Sequence, residues 1–123
     1  MKRLTTILFV TTILYTFLTN ALNIFAQDDL TVFKKVDKGK QSFYMELLIK
    51  NPTKNKIEKT IDSLVKQYKD RKWLQIDIFD NLEALQRRGD EKYPTKLVYK
   101  HWLVSITNQK VERFYIKERP DIK

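Results

Sequence analysis

Residues 41–68 read QSFYMELLIKNPTKNKIEKTIDSLVKQY, and within them the hydrophobic period switches from about two residues to about 3.6. From Gln41 to Lys50, Phe43, Met45, Leu47 and Ile49 alternate with Ser42, Tyr44, Glu46 and Lys50, and Leu48 alone breaks the pattern. That alternation predicts a strand with one buried face. Asn51-Pro52 then marks a helix start, an amide to cap free N–H groups and a proline where its missing N–H is harmless. Ile57, Ile61, Leu64, Val65 and Tyr68 form one apolar stripe, with Lys54, Lys59, Asp62, Lys66 and Lys69 on the solvent side. A strand followed directly by a long amphipathic helix points to a helix laid across a sheet.

Working outward, Leu30–Val36 is expected to be a strand joined to the first by the turn Asp37-Lys38-Gly39-Lys40, giving a hairpin. After Asp70-Arg71, Lys72–Phe79 is a third strand with Leu74, Ile76 and Ile78 on its core side. Asp80–Gly89 is a short helix, with Asp80 as cap, Glu83 completing a capping box, Leu82 and Leu85 inward, and Gly89 in the left-handed position past its end. Asp90–Thr95 is a loop, Leu97–Ile106 a long strand, Thr107-Asn108-Gln109 a turn, Lys110–Ile116 a final strand, and the residues after Lys117 a frayed tail. The order ββαβαββ predicts an α+β fold, a mainly antiparallel five-stranded sheet with one long and one short helix, the long helix, with or without the short one, covering a single face. Val98, Trp102, Val104 and Ile106 would join that covered face.

The chain opens with Lys2 and Arg3, an uncharged apolar run from Leu4 to Leu18, and a more polar exit ending Ile24-Phe25-Ala26. This is the three-part pattern of a secretory signal peptide, cut after Ala26, with Ala21 the second candidate. The competing reading is a retained membrane anchor. Six threonines, Asn20 and Asn23 weaken a span of the roughly 20 apolar residues a bilayer needs, and no basic stop follows. The expected organisation is thus a signal over 1–26 and one small α+β domain over 27–123, exported to a periplasm or beyond the cell. Membrane contact would come only through an uncleaved N-terminal segment.

No cysteine is present. An exported domain of this kind has no disulfide to lean on, and a lipid-modified cysteine anchor is excluded. The chain carries 24 Lys+Arg against 15 Asp+Glu; without Lys2 and Arg3 the remainder is +7. Such a surface suits anionic lipid, acidic polysaccharide or nucleic acid. Export argues against nucleic acid, and a Lys-, Ile- and Asn-rich composition of the kind an AT-rich bacterial genome encodes gives the charge without any partner.

On this reading the sheet face away from the helices holds Tyr44, Trp73, Gln75, Asp77, Phe79, Tyr99, His101 and Leu103, with Arg113 and Tyr115 joining from the last strand. Aromatics among polar groups on an open face suit a sugar, a peptide or a partner protein, although cross-strand ring pairs also stabilise sheets that bind nothing. The binding set expected is Tyr44, Trp73, Asp77, Tyr99, His101, Arg113 and Tyr115, with an envelope protein or an anionic or carbohydrate envelope component as partner. His101 is the sole histidine. Pairing it with Asp77, and with Ser42 or Ser105 as nucleophile, would give a small hydrolase, but no nucleophile elbow accompanies it. One His and no Cys make a metal site poor, and no glycine-rich loop cradles phosphate. No catalytic residue, metal or cofactor is assigned. Two function classes follow: a non-enzymatic exported binding module using the open face and Asp80–Lys96, or an exported inhibitor or immunity-type protein pairing through Leu30–Val36 or Lys110–Ile116.

Overall fold

The computed structural model describes residues 29–123, so the expected export segment over 1–26 lies outside the described residues. Strands β1 (Leu30–Asp37) and β2 (Ser42–Ile49) form the antiparallel hairpin, closed through Gly39 at φ +64°. Helix α1 (Lys54–Tyr68) carries the chain over the sheet to β3 (Trp73–Phe79), which pairs parallel to β2. A parallel neighbour cannot be reached by a tight turn, and α1 is the crossover that makes it possible. Helices α2 (Leu82–Arg87) and α3 (Thr95–His101) precede β4 (Trp102–Thr107) and β5 (Lys110–Arg113), and a single helical turn, α4 (Tyr115–Glu118), follows. The fold is α+β: five strands in the order β1-β2-β3-β4-β5, three of the four pairings antiparallel, and four helices among the described residues.

Phe43, Met45, Leu47 and Ile49 of β2 join Leu74, Ile76 and Ile78 of β3 and Val104 and Ile106 of β4 under Ile57, Ile61, Leu64 and Tyr68 of α1. The helix begins two residues later than Asn51-Pro52 suggested. Its cap is Thr53, whose hydroxyl accepts from the Lys56 N–H at 3.2 Å, while Asn51 turns the chain at φ 50°.

The short helix departs from expectation. Asn81 caps it, its Oδ1 accepting from the Ala84 N–H at 2.9 Å; Asp80 does not cap, and Gly89 does not adopt the left-handed conformation. Ala84 and Leu85 turn inward while Leu82 is exposed. Nor do the helices share a face. Ala84 and Leu85 of α2 and Val98 of α3 pack with Phe79 as a second apolar cluster, joined by Leu48, Tyr93 and Trp102, on the side of the sheet opposite α1. We expect Asn81→Ala to lower stability by about 1 kcal/mol through the lost cap, read as a drop in the urea midpoint at unchanged slope; an unchanged midpoint would count against the cap.

Thr95–His101 is helix, not the first part of a long strand. Pro94 sets its entrance at φ −61°, Lys100 and His101 sit in its last turn where the helix dipole favours cations, and Val98 alone is buried. Alternation over so few residues does not separate a strand from two helical turns. Strand β4 also carries a bulge: Ile78 faces Val104 but Phe79 faces Trp102, leaving Leu103 as the extra residue. Leu103 therefore joins the main core and Trp102 the second cluster, reversing the expected sides of both. The last strand stops at Arg113, and the tail is not frayed: Ile122 packs against the main core and the Lys54 N–H donates to the Lys123 carbonyl at 3.3 Å.

Candidate functional site

On the face away from α1, alternate residues of the three central strands stand side by side. Tyr44 is opposite Gln75, Glu46 opposite Asp77, and Asp77 opposite Ser105. Glu46, Asp77 and Ser105 are buried, so their polar atoms need partners inside the protein. Arg88, which follows α2, supplies them for the two carboxylates. Its guanidinium donates to Asp77 Oδ2 at 2.9 Å, to Glu46 Oε1 at 3.0 Å and to the Tyr44 hydroxyl, and it lies over the rings of Phe79 (5.6 Å) and Trp102 (5.5 Å). Tyr44 in turn donates to Glu46. Gln75 extends the chain of bonds, donating to Asp77 Oδ1 at 2.9 Å and Ser105 Oγ at 3.3 Å and accepting from the Thr107 hydroxyl at 2.8 Å.

Burial and this bonding tune the groups. Burial, then donation to Glu46, pushes the Tyr44 phenol up to about 12, so it stays a neutral donor. For Arg88, burial works against the charge, but the hydrogen bond and attraction to Asp77 outweigh it and the pKa rises. Both carboxylates are thus bonded to one cation, an arrangement that orders the sheet face.

Beyond this network the same face opens to solvent. A groove of about 340 Å³ is lined by Lys34, Val36 and Lys38 from β1 and its turn, Ser42, Phe43 and Tyr44 from β2, Trp73, Leu74 and Gln75 from β3, and Thr107 and Asn108 beyond. Trp73 is 62% exposed at its rim. Lys34 Nζ lies 5.7 Å from the centre of the Tyr44 ring. The floor is held by Asn108, at φ 54°, whose side chain accepts from the Leu74 N–H at 2.9 Å and whose own N–H donates to the Leu74 carbonyl at 2.8 Å.

Of the seven residues expected to form one binding face, the structure brings Tyr44, Trp73 and Asp77 to this side of the sheet. Tyr99 and His101 stand instead on α3. Tyr99 stacks on Trp102 at 5.8 Å and meets Phe114 edge-on at 5.7 Å, beside a smaller hollow of about 160 Å³. The Nδ1 of His101 meets Asp80 Oδ1 at 2.8 Å, and Asp80 Oδ2 accepts from Arg119 at 2.5 Å; Arg119 also grips Asp121. The expected His101–Asp77 pairing is therefore replaced by a His101–Asp80 pairing whose carboxylate is shared with Arg119. Arg113 and Tyr115 face the α1 side. Arg113 Nε donates to Glu58 of α1 at 2.7 and 3.0 Å, and Tyr115 is 2% exposed in the main core because the strand has already ended.

Sequence reasoning placed Gln75 on the open face but not in the binding set, and left out Lys34, Lys38, Thr107 and Asn108 of the groove and Glu46 and Arg88 of the network. The alternation of β2 and β3 was a sufficient signal for Glu46 and Gln75. Nothing local marks Arg88, because its partners come from strands 42 and 11 residues away. Among the described residues no cluster of three potential metal ligands occurs, and no helix is long and apolar enough to cross a membrane. No family model matches the chain, and neither a curated protein nor a solved structure is significantly similar to it.

Proposed function

We propose that this is an exported, non-enzymatic binding module whose contact surface is the open part of the sheet face around Trp73. The observation that carries the reading is the exposed indole on the rim of a 340 Å³ groove. An indole left in water at a concave site is a large apolar area that a ligand can cover, at roughly 25 cal/mol per Å², and the volume falls in the range of small-ligand sites. The export half of the proposal rests on the pattern of residues 1–26.

The edge-strand alternative fits less well. Strand β1 is an exposed edge with Val32, Phe33 and Val36 on its surface, but a bulge interrupts its register after Val32, and Lys34 and Lys35 follow. Bulges and lysines are the devices by which edges avoid pairing with other chains. Strand β5, at the other edge, is four residues long.

The test is retention of the purified protein on an envelope fraction of its source cell. Trp73→Ala is expected to weaken retention about tenfold or more while moving stability by less than about 0.5 kcal/mol. Ile116→Ala, equally exposed at 62% but on the far end of the chain, should leave retention unchanged. Retention of the Trp73 variant at the wild-type level would reject the proposal.

A further inference from the structure

We infer that the ligand of this groove is an acidic glycan, a chain of sugar rings bearing carboxylate or similar anionic groups; the inference rests on the groove being the contact surface. The first argument is geometric. The groove lies on the face of the sheet, where strand N–H and C=O groups already bond to one another in the sheet plane. A peptide laid there finds no main-chain partners, so recognition falls to side chains. What the side chains offer is a flat indole, the phenol ring of Tyr44, the NH2 of the Asn108 amide and the hydroxyl oxygens of Ser42 and Thr107. A pyranose ring presents the matching surfaces: a face of C–H groups to lie on the indole, and an edge of hydroxyls.

The second argument is charge. The lining contains Lys34 and Lys38 and no carboxylate. Neither lysine belongs to an ion pair among the described residues. The acid nearest in sequence, Asp37, is already engaged: its Oδ1 accepts from Arg71 at 2.6 Å and from the Gly39 N–H at 2.9 Å. Glu46, opposite Lys34 across the hairpin, is bound to Arg88, so neither ammonium has a carboxylate partner among the described residues, and a sugar carrying an anion matches both the charge and the aromatic platform. A cleft of one sign of charge also draws oppositely charged ligands toward it.

The experiment titrates the purified protein with oligogalacturonate, a neutral malto-oligosaccharide of equal length, and polyglutamate, following tryptophan emission. Trp73→Phe serves as control, since it leaves the half-buried Trp102 as the only indole. Oligogalacturonate is expected to shift the emission of the wild type but not of the control, and to bind at least about tenfold more tightly than the neutral sugar. Its affinity should fall severalfold between low salt and about 0.15 M. Replacing Lys34 and Lys38 together by alanine should weaken it about tenfold. Both lysines are exposed, so the variant keeps its fold. Equal binding of the neutral sugar overturns the acidic requirement. Polyglutamate binding as tightly as oligogalacturonate overturns the glycan and points to an acidic protein partner. Silence with all three overturns the ligand class. In each of these cases the retention assay with Trp73→Ala still decides independently whether the groove is the contact surface.

Discussion

Replacing Arg88 with methionine is expected to remove about 3–5 kcal/mol of folding stability, a large share of the roughly 5–15 kcal/mol that small domains possess. The guanidinium is the shared counter-charge of Asp77 and Glu46, whose side chains keep only 3% and 10% of their surface exposed. Methionine retains packing over Phe79 and Trp102 but strands two carboxylates without their cation. The loss therefore carries a pH signature. Burial without a partner disfavours the ionised form and lifts the folded-state pKa of such a carboxyl above its unfolded value. A raised carboxyl pKa supports folding below the unfolded pKa, and that support is lost as pH rises through the folded pKa. The deficit of the variant should accordingly be largest near neutrality and shrink as pH falls toward about 4. Urea unfolding at both ends of that range measures it. A deficit that ignores pH would show that lost packing, not stranded charge, is responsible. Adding Asp77→Asn and Glu46→Gln to the Arg88 variant should restore part of the stability at neutral pH, because the stranded groups are then neutral.

The second large effect belongs to Phe43, the neighbour of Tyr44 in sequence but on the other side of the sheet. Phe43 is 1% exposed and stacks on Tyr68 at the end of α1, ring centres 3.8 Å apart and planes 17° apart. Phe43→Ala should cost about 3–5 kcal/mol, part transfer free energy and part cavity, since the strand and helix that bracket the ring cannot both collapse into the space. Phe43→Leu should recover about half of this. Thermal unfolding reads both. A loss under about 1 kcal/mol for alanine would mean that Tyr68 swings in to fill the void. Trp73, next to the Leu74 that stands opposite Phe43 on the parallel strand, is 62% exposed on the other side of the pleat, and the same truncation is expected to cost little there.

The sequence exposed the frame of the fold better than its details, for physical reasons. The alternation of Phe43–Ile49 and the stripe Ile57–Tyr68 are long enough for their periods to be unambiguous, and both elements lie where the pattern put them. Thr95–His101 is seven residues long and rich in ring and branched side chains; its propensity suggested a strand, and tertiary packing of Val98 decided for a helix. The bulge at Leu103 is one residue in size, yet it moves Trp102 across the sheet and so displaced part of the expected face. Similarly, the end of the last strand at Arg113 sent Tyr115 into the core. The candidate site was legible where it rests on regular alternation, at Tyr44, Trp73 and Asp77. It was hidden where it depends on a side chain arriving from elsewhere, as Arg88 does, or on an edge strand lending its lysines.

The order of the strands in space is their order in the chain. Each strand therefore finds its partner already made, and none must be wedged between two others that have closed ahead of it. The β1–β2 and β4–β5 pairings close through short turns, and the longest closure between successive strands, β2 to β3, is spanned by a helix that can form locally. Short closures carry little loop entropy, and low sequence separation of contacts goes with rapid folding. The sheet can grow from its first edge to its last as a chain released N-terminus first supplies it, with the unfinished edge always being the one the next residues will cover.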